Sequence, residues 1–249
     1  MEEYRIDPTI AYDVVELPSR GIYYNNKKKS LKVSFLTAAD ENILSSSTLL
    51  SSGTMTHELL KRKILDRDIS IDDLIEEDKQ AILIFLRNTA FGTEYSISTT
   101  DPKTGMDFTT TVDLSVLKVK EFNLVEDSNG EYSFFMDRSK IEVTFSFLTV
   151  KQLKDLDELQ KNWNGIGAAP IITKQLEFMI KSVAGNRDIM NIHNFVENLP
   201  IKDSQDFRKF VMTNKPGLDL TQNVTTPSGD TIQVEIGFGV EFFRPFYGI

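Results

Sequence analysis

The chain has 249 residues, enough for one large or two ordinary domains, and its 40% hydrophobic and 26% charged content is that of a globular protein able to bury a core without covalent staples. It contains no cysteine, which excludes disulfides, thiol catalysis and cysteine-based zinc or iron–sulfur centres and fits a reducing compartment. A formal charge of −9 and a pI near 4.9 argue against phosphate-backbone binding as a main activity, so no nucleic-acid partner is expected.

The N-terminal Met1-Glu2-Glu3-Tyr4-Arg5 lacks a basic lead followed by an apolar stretch, and no window approaches the roughly 20 apolar residues of a membrane helix. Neither a signal peptide nor a membrane partner is expected, and the cytoplasm is the expected location. Tyr12 to Leu17 alternates as a short strand and is broken by Leu17-Pro18-Ser19-Arg20-Gly21. Asn25-Asn26-Lys27-Lys28-Lys29 reads as a solvated hairpin loop, because three adjacent like charges repel and stay in water. Leu31, Val33 and Phe35 lie at period two and form the returning strand.

Thr37 can cap a helix by accepting a first-turn backbone N–H, with Asp40 and Glu41 near the positive helix end. Ser45 to Gly53 reads as a helix end and connector. Helical periodicity resumes at Leu59, Leu60, Ile64 and Leu65, and again after Asp78 with Ile82, Leu83, Phe85 and Leu86. Asp72-Asp73 and Glu76-Glu77-Asp78 are expected to be solvated first-turn acids. From Tyr95 to Leu117 the pattern is β, with Asp101-Pro102-Lys103-Thr104-Gly105 as the turn.

Asn129-Gly130 signals a further hairpin between Phe122, Leu124 and Tyr132, Phe134, Phe135. Thr149 with Gln152 is a capping box. Helices are expected over Val150 to Trp163, Ile171 to Val183, Asp188 to Leu199 and Asp203 to Met212, the last stopped near Pro216-Gly217. A closing hairpin is expected with Ile232, Val234 and Ile236 before Gly237 and Val240 to Phe243 after it.

Several of these landmarks occur twice, in the same order. Ser34-Phe35-Leu36-Thr37 returns as Ser146-Phe147-Leu148-Thr149; Asp78, Gln80, Phe85 and Leu86 return as Asp203, Gln205, Phe210 and Val211; Thr100 and Pro102 return as Thr225 and Pro227. This is the signature of two copies of one supersecondary unit. The expected fold class is therefore α+β: two related β-strand/helix/β-hairpin units, the second enlarged by extra helices. The expected division is an N-terminal α+β unit over 1–120, a linking β-hairpin over 121–140, and a C-terminal helical unit over 141–249 that ends in a β-hairpin.

Candidate chemistry is sparse. His57 and His193 are isolated, with no second histidine at metal spacing, so no metal, cofactor or catalytic residue is assigned. Gly165-Ile166-Gly167 follows a helix rather than a strand and reads as an interhelical turn, not a phosphate cradle. Trp163 and the Phe242-Phe243 pair read as core before they read as anchors.

Taken together, Lys181-Ser182-Val183-Ala184-Gly185-Asn186-Arg187-Asp188, Phe195-Val196-Glu197-Asn198-Leu199-Pro200, Asp203-Ser204, Pro216-Gly217-Leu218-Asp219 and Gly239-Val240-Glu241-Phe242-Phe243-Arg244-Pro245 resemble the baseplate hub assembly proteins of T-even-type contractile-tailed bacteriophages. The N-terminal Leu17-Pro18-Ser19-Arg20-Gly21 and Phe35-Leu36-Thr37-Ala38-Ala39-Asp40-Glu41 carry the same resemblance. Where many of those relatives have paired cysteines suggestive of zinc ribbons, this chain has Asp101-Pro102-Lys103-Thr104-Gly105 and Thr226-Pro227-Ser228-Gly229, so packing must hold those turns.

The resemblance implies a non-enzymatic, chaperone-like factor in the host cell cytoplasm that promotes assembly of the tail baseplate hub, with other phage baseplate hub proteins as partners. The alternatives are a structural subunit retained in the virion tail baseplate and, more remotely, a cell-wall hydrolase using acidic pairs. Phe242, Phe243, Phe246 and Tyr247 are the most concentrated aromatic group for partner binding, and closure of the last hairpin on the core is the competing reading of the same residues.

Overall fold

The computed structural model describes residues 9–22, 24, 26–238 and 240–243, and its elements pass twice through one order. In the first pass β1 (Tyr12–Glu16) pairs antiparallel with β2 (Ser30–Ser34), setting Val15 opposite Leu31. Then come α1 (Ala38–Leu44), α2 (Ser47–Ser51) and α3 (Met55–Lys63), after which Ile64 bridges back to Val33. The long α4 (Glu76–Phe91) leads into the hairpin of β3 (Glu94–Thr100) and β4 (Asp107–Asp113).

In the second pass β5 (Tyr132–Met136) pairs with β6 (Ile141–Phe145), followed by α5 (Val150–Lys161) and α6 (Ile171–Met179). Where Ile64 only touched β2, Ile180 opens a full strand, β7 (Ile180–Val183), that pairs with β6. Helix α7 (Ile189–Glu197) is inserted, α8 (Ile201–Asn214) takes the place of α4, and β8 (Thr221–Thr225) with β9 (Thr231–Glu235) forms the hairpin. The architecture is α+β in two related units, the second enlarged by α7.

The duplication extends to buried polar groups. In the first unit Asp78, in the first turn of α4, accepts from the Ser19 N–H at 2.9 Å, the Ser19 hydroxyl at 2.5 Å and the Tyr24 hydroxyl at 2.5 Å. In the second, Asp203, in the first turn of α8, accepts from the Arg138 N–H at 2.9 Å, the Ser139 N–H at 2.7 Å and the Ser139 hydroxyl at 2.6 Å. Each serine is followed by a residue with left-handed backbone, Arg20 at φ 55° and Lys140 at φ 56°. One carboxylate thus pins the turn after the unit's first strand onto its last long helix, twice. Beside the first of these turns only glycine fits at position 21, where a Cβ would come within 2.3 Å of the Lys28 carbonyl oxygen.

Two apolar cores result. One contains Leu31, Val33, Leu59, Ile82 and Leu86 together with Val224, Val234, Ile236, Phe242 and Phe243 from the far end of the chain. The other is built on Tyr132, Met136, Val143, Phe145 and Phe207, with Phe145 and Phe207 meeting edge to face at 5.3 Å. Full burial of rings of this size stabilises by about 1.5–3 kcal/mol each.

Several expectations need correction. Glu77 and Asp78 are buried rather than solvated, because Lys215 and Gly217 lie over Glu77 while Ser19 and Tyr24 bond Asp78. Lys28 is not free in a loop: its ammonium bridges Asp66 and Asp68 at 2.6 Å each. The serine-rich connector contains α2, capped by Ser46 accepting from the Leu49 N–H at 3.3 Å. Thr37 caps α1 as expected, in a capping box with Asp40, whose Oδ2 accepts both the Thr37 N–H and the Thr37 hydroxyl at 2.8 Å.

The Asn129-Gly130 turn forms, held by Asp127, but the strand after it pairs forward with β6 rather than back with residues 121–126. Helix α6 stops at Met179 because the β-branched Ile180 and Val183 are taken into the sheet. The last hairpin turns at residues 226–230, and Val240–Phe243 is a single 3-10 turn. The Thr149–Gln152 capping box is present in both directions, at 3.1 and 3.3 Å.

Candidate partner-binding surface

Phe242 and Phe243, which the sequence offers first as core and otherwise as part of a partner-binding aromatic group, are 0% and 2% exposed. Phe242 meets Tyr95 of β3 at 5.3 Å and Phe238 at 4.8 Å, so these rings pack into the first core. The physical reason is that β8 and β9 bury Val224, Val234 and Ile236 against that core, which carries the following residues inward with them. Phe246 and Tyr247 lie outside the described residues. Trp163, read as core, is 36% exposed; its indole N–H donates to the Gly167 carbonyl at 3.1 Å, and its ring lies where a Cβ on Gly165 would be.

The turns at 101–105 and 226–229 come together here. The Asp101 carboxylate, buried, accepts from the Lys103 N–H at 2.9 Å in its own turn, and from the Ser228 N–H and hydroxyl at 3.1 Å each in the other. Burial pushes this carboxyl up, but the bonds from Lys103 and Ser228 outweigh it and hold it below the ordinary carboxylate range. A hydrogen-bonded carboxylate joins the two hairpin tips.

Of the histidines, His57 faces Asp72 at 3.8 Å. His193 Nδ1 lies 2.6 Å from half-buried Glu177 on α6, and exposed Glu197, one turn on along α7, completes a trio. Lys174 already pairs with Glu177 at 2.9 Å, which ties that carboxylate into the surface of α6.

Both units leave large apolar side chains exposed, Tyr12, Val14, Met106, Val116 and Val119 in the first and a helical set in the second. Ile166, Ile172, Ile189, Met190, Ile201 and Met212 are all exposed, and all belong to its helices or to the loop between α5 and α6. Sequence periodicity could not single them out, because it reports that a helix has an apolar face and not whether that face is covered. Ile172 stands one turn before Gln175, and Gln175 and Met212 both line a groove of about 400 Å³ where the second unit meets the start of α4. Its apolar wall is Phe147, Leu148, Leu153, Met179, Val211 and Met212. Glu76, Glu77, Arg208 and Lys215 form its charged rim.

The groove exists because the units are joined there. Ile75 bridges Thr149, and the Val150 N–H donates to the Leu74 carbonyl at 2.7 Å. Lys215, just past α8, pairs with Glu77 at 2.9 Å. Burial raises the Glu76 carboxyl above its ordinary value against the opposing pull of Lys79. Such a concave apolar surface with a polar rim is the arrangement of a protein-binding pocket.

Fold and surface describe a duplicated α+β protein with an open apolar groove between its units. The sequence model of the family described as T4 bacteriophage base plate protein matches residues 12–244, and the chain belongs to that family. No curated protein and no solved structure matches it. Its role is in the phage baseplate, among other baseplate proteins. Among the described residues no helix is long and apolar enough to cross a membrane.

Proposed function

We propose that the chain is a non-enzymatic, chaperone-like factor that promotes assembly of the central hub of the phage tail baseplate in the host cytoplasm, by binding other hub proteins. The observation that carries this reading is the family match across residues 12–244. The apolar side chains exposed on the helices of the second unit support it, because large apolar side chains left in water are the raw material of an interface. The acidic charge supports it as well, since it keeps a factor with exposed apolar surface from associating with its own kind before it meets a partner.

The experiment is quantitative mass spectrometry of purified particles beside infected-cell lysate, with the gene deleted in parallel. The assembly-factor reading expects abundant chain in lysate, none stoichiometric in particles, and no complete hubs after deletion. A fixed copy number in every particle would assign the chain to the structural subunits of the baseplate instead.

A further inference from the structure

The rim of the groove is unevenly committed. Glu77 is held by Lys215 at 2.9 Å and Glu76 by Lys79 at 3.1 Å. Half-buried Arg208 spends only its Nε, on the Ser204 carbonyl at 3.3 Å, and its two terminal nitrogens pair with no carboxylate among the described residues. An apolar cleft beside an uncommitted guanidinium fork recognises one kind of group: a large apolar side chain with a carboxylate close by. We propose that this groove docks a segment of a partner protein that inserts an apolar anchor between α5, α6 and α8 and sets a neighbouring Asp or Glu on Arg208.

A second copy of the chain is the less fitting occupant, because two molecules each carrying −9 repel on approach. The inference rests on the proposed function in one respect, that the chain works by binding a protein. What it adds is the surface and the chemistry of the binding segment.

Met179 and Met212 line the groove, so their methyl signals report on it in the full-length chain, with Met106, in the turn between β3 and β4 and no part of the groove's lining, as the control. The probes are acetyl-Phe-Glu-amide and acetyl-Phe-Lys-amide. The expected result is a saturable shift of the Met179 and Met212 signals, reached at about fivefold lower concentration with the glutamate probe, as one charge-assisted contact at a partly open site provides. Arg208→Ala should erase that preference while circular dichroism stays unchanged. Equal response to both probes, no response at the two methionines, or shifts that appear on self-association by sedimentation would each overturn the proposal.

In infected cells Arg208→Glu should block hub formation. Normal hubs with Arg208→Glu, where deletion of the gene abolishes them, would remove the groove and leave the proposed function standing. Normal hubs after deletion would remove the proposed function itself.

Discussion

In the first unit Asp40, fully buried, is 2.5 Å from the ammonium of buried Lys63, which also donates to the Phe35 carbonyl at 3.0 Å. Burial pushes the Asp40 carboxyl up, but Lys63 and Thr37 outweigh it and hold it below the ordinary range. In the second unit the same two places are taken by neutral residues. Gln152 occupies the capping-box position of Asp40, and Met179, immediately before Ile180 as Lys63 is immediately before Ile64, occupies that of Lys63. The pair has been exchanged as a pair.

Lys63→Met alone therefore strands a buried carboxylate, whose remaining charged neighbour is half-exposed Arg62 at 3.5 Å. Breaking one side of a buried pair costs about 3–5 kcal/mol, and Arg62 places the expected loss near the lower end, about 3 kcal/mol. Asp40→Gln alone strands the buried Lys63 ammonium at a similar cost of about 3 kcal/mol, whereas Lys63→Met with Asp40→Gln copies the second unit and should lie within about 1 kcal/mol of the parent. Urea denaturation of the parent, both single variants and the double variant is the assay. With a slope of about 3 kcal/mol per molar, the lysine variant should lose about 1 M in midpoint and the double variant should regain most of it. Additive losses, with the double variant worse than either single one, would refute the equivalence of the two sites and the view that the charges matter only to each other.

The twin carboxylates should respond oppositely to pH. Burial raises Asp203, but the bonds from Ser139 and the Arg138 and Ser139 N–H groups outweigh it, so its folded pKa is depressed; its stabilisation is present above about pH 4 and lost as pH falls through the folded value. Burial dominates at Asp78, whose folded pKa is raised, so its contribution is present below its ordinary value and lost as pH rises through the folded one. Asp203→Asn should consequently cost more at pH 7 than at pH 3 and Asp78→Asn the reverse, as read by urea midpoints; parallel responses would contradict this. Thr149→Ala removes the acceptor of the Gln152 N–H and should cost about 0.5–2 kcal/mol, whereas a change under about 0.2 kcal/mol would mean the cap is idle. Because Asp101 joins the two hairpin tips, chelator should leave the melting temperature unchanged, while a fall of several degrees would show a metal contributing to the fold.

The duplication was legible because its landmarks are short-range: a strand ending before Thr37 or Thr149, an acid opening a long helix, a proline turn in a hairpin. What the repeated acids do was not legible, since Asp78 and Asp203 look like any first-turn acids until distant serines are brought onto them. For Phe242 and Phe243 the sequence favours core over anchor without deciding between them. Nothing local distinguishes an aromatic pair that closes a core from one that faces a partner, and the answer came from β3 of the other unit through Tyr95. The groove is a product of two units meeting, so no single stretch of sequence encodes it, although its Arg208 and exposed Met212 lie on the same helix within four residues of one another.

The most direct measurement follows baseplate formation in infected cells lacking the gene, with purified chain added back to their extract. The account predicts that hubs fail to form without the chain, form when it is restored, and exclude it once complete. Complete, infectious particles made in its absence would contradict it.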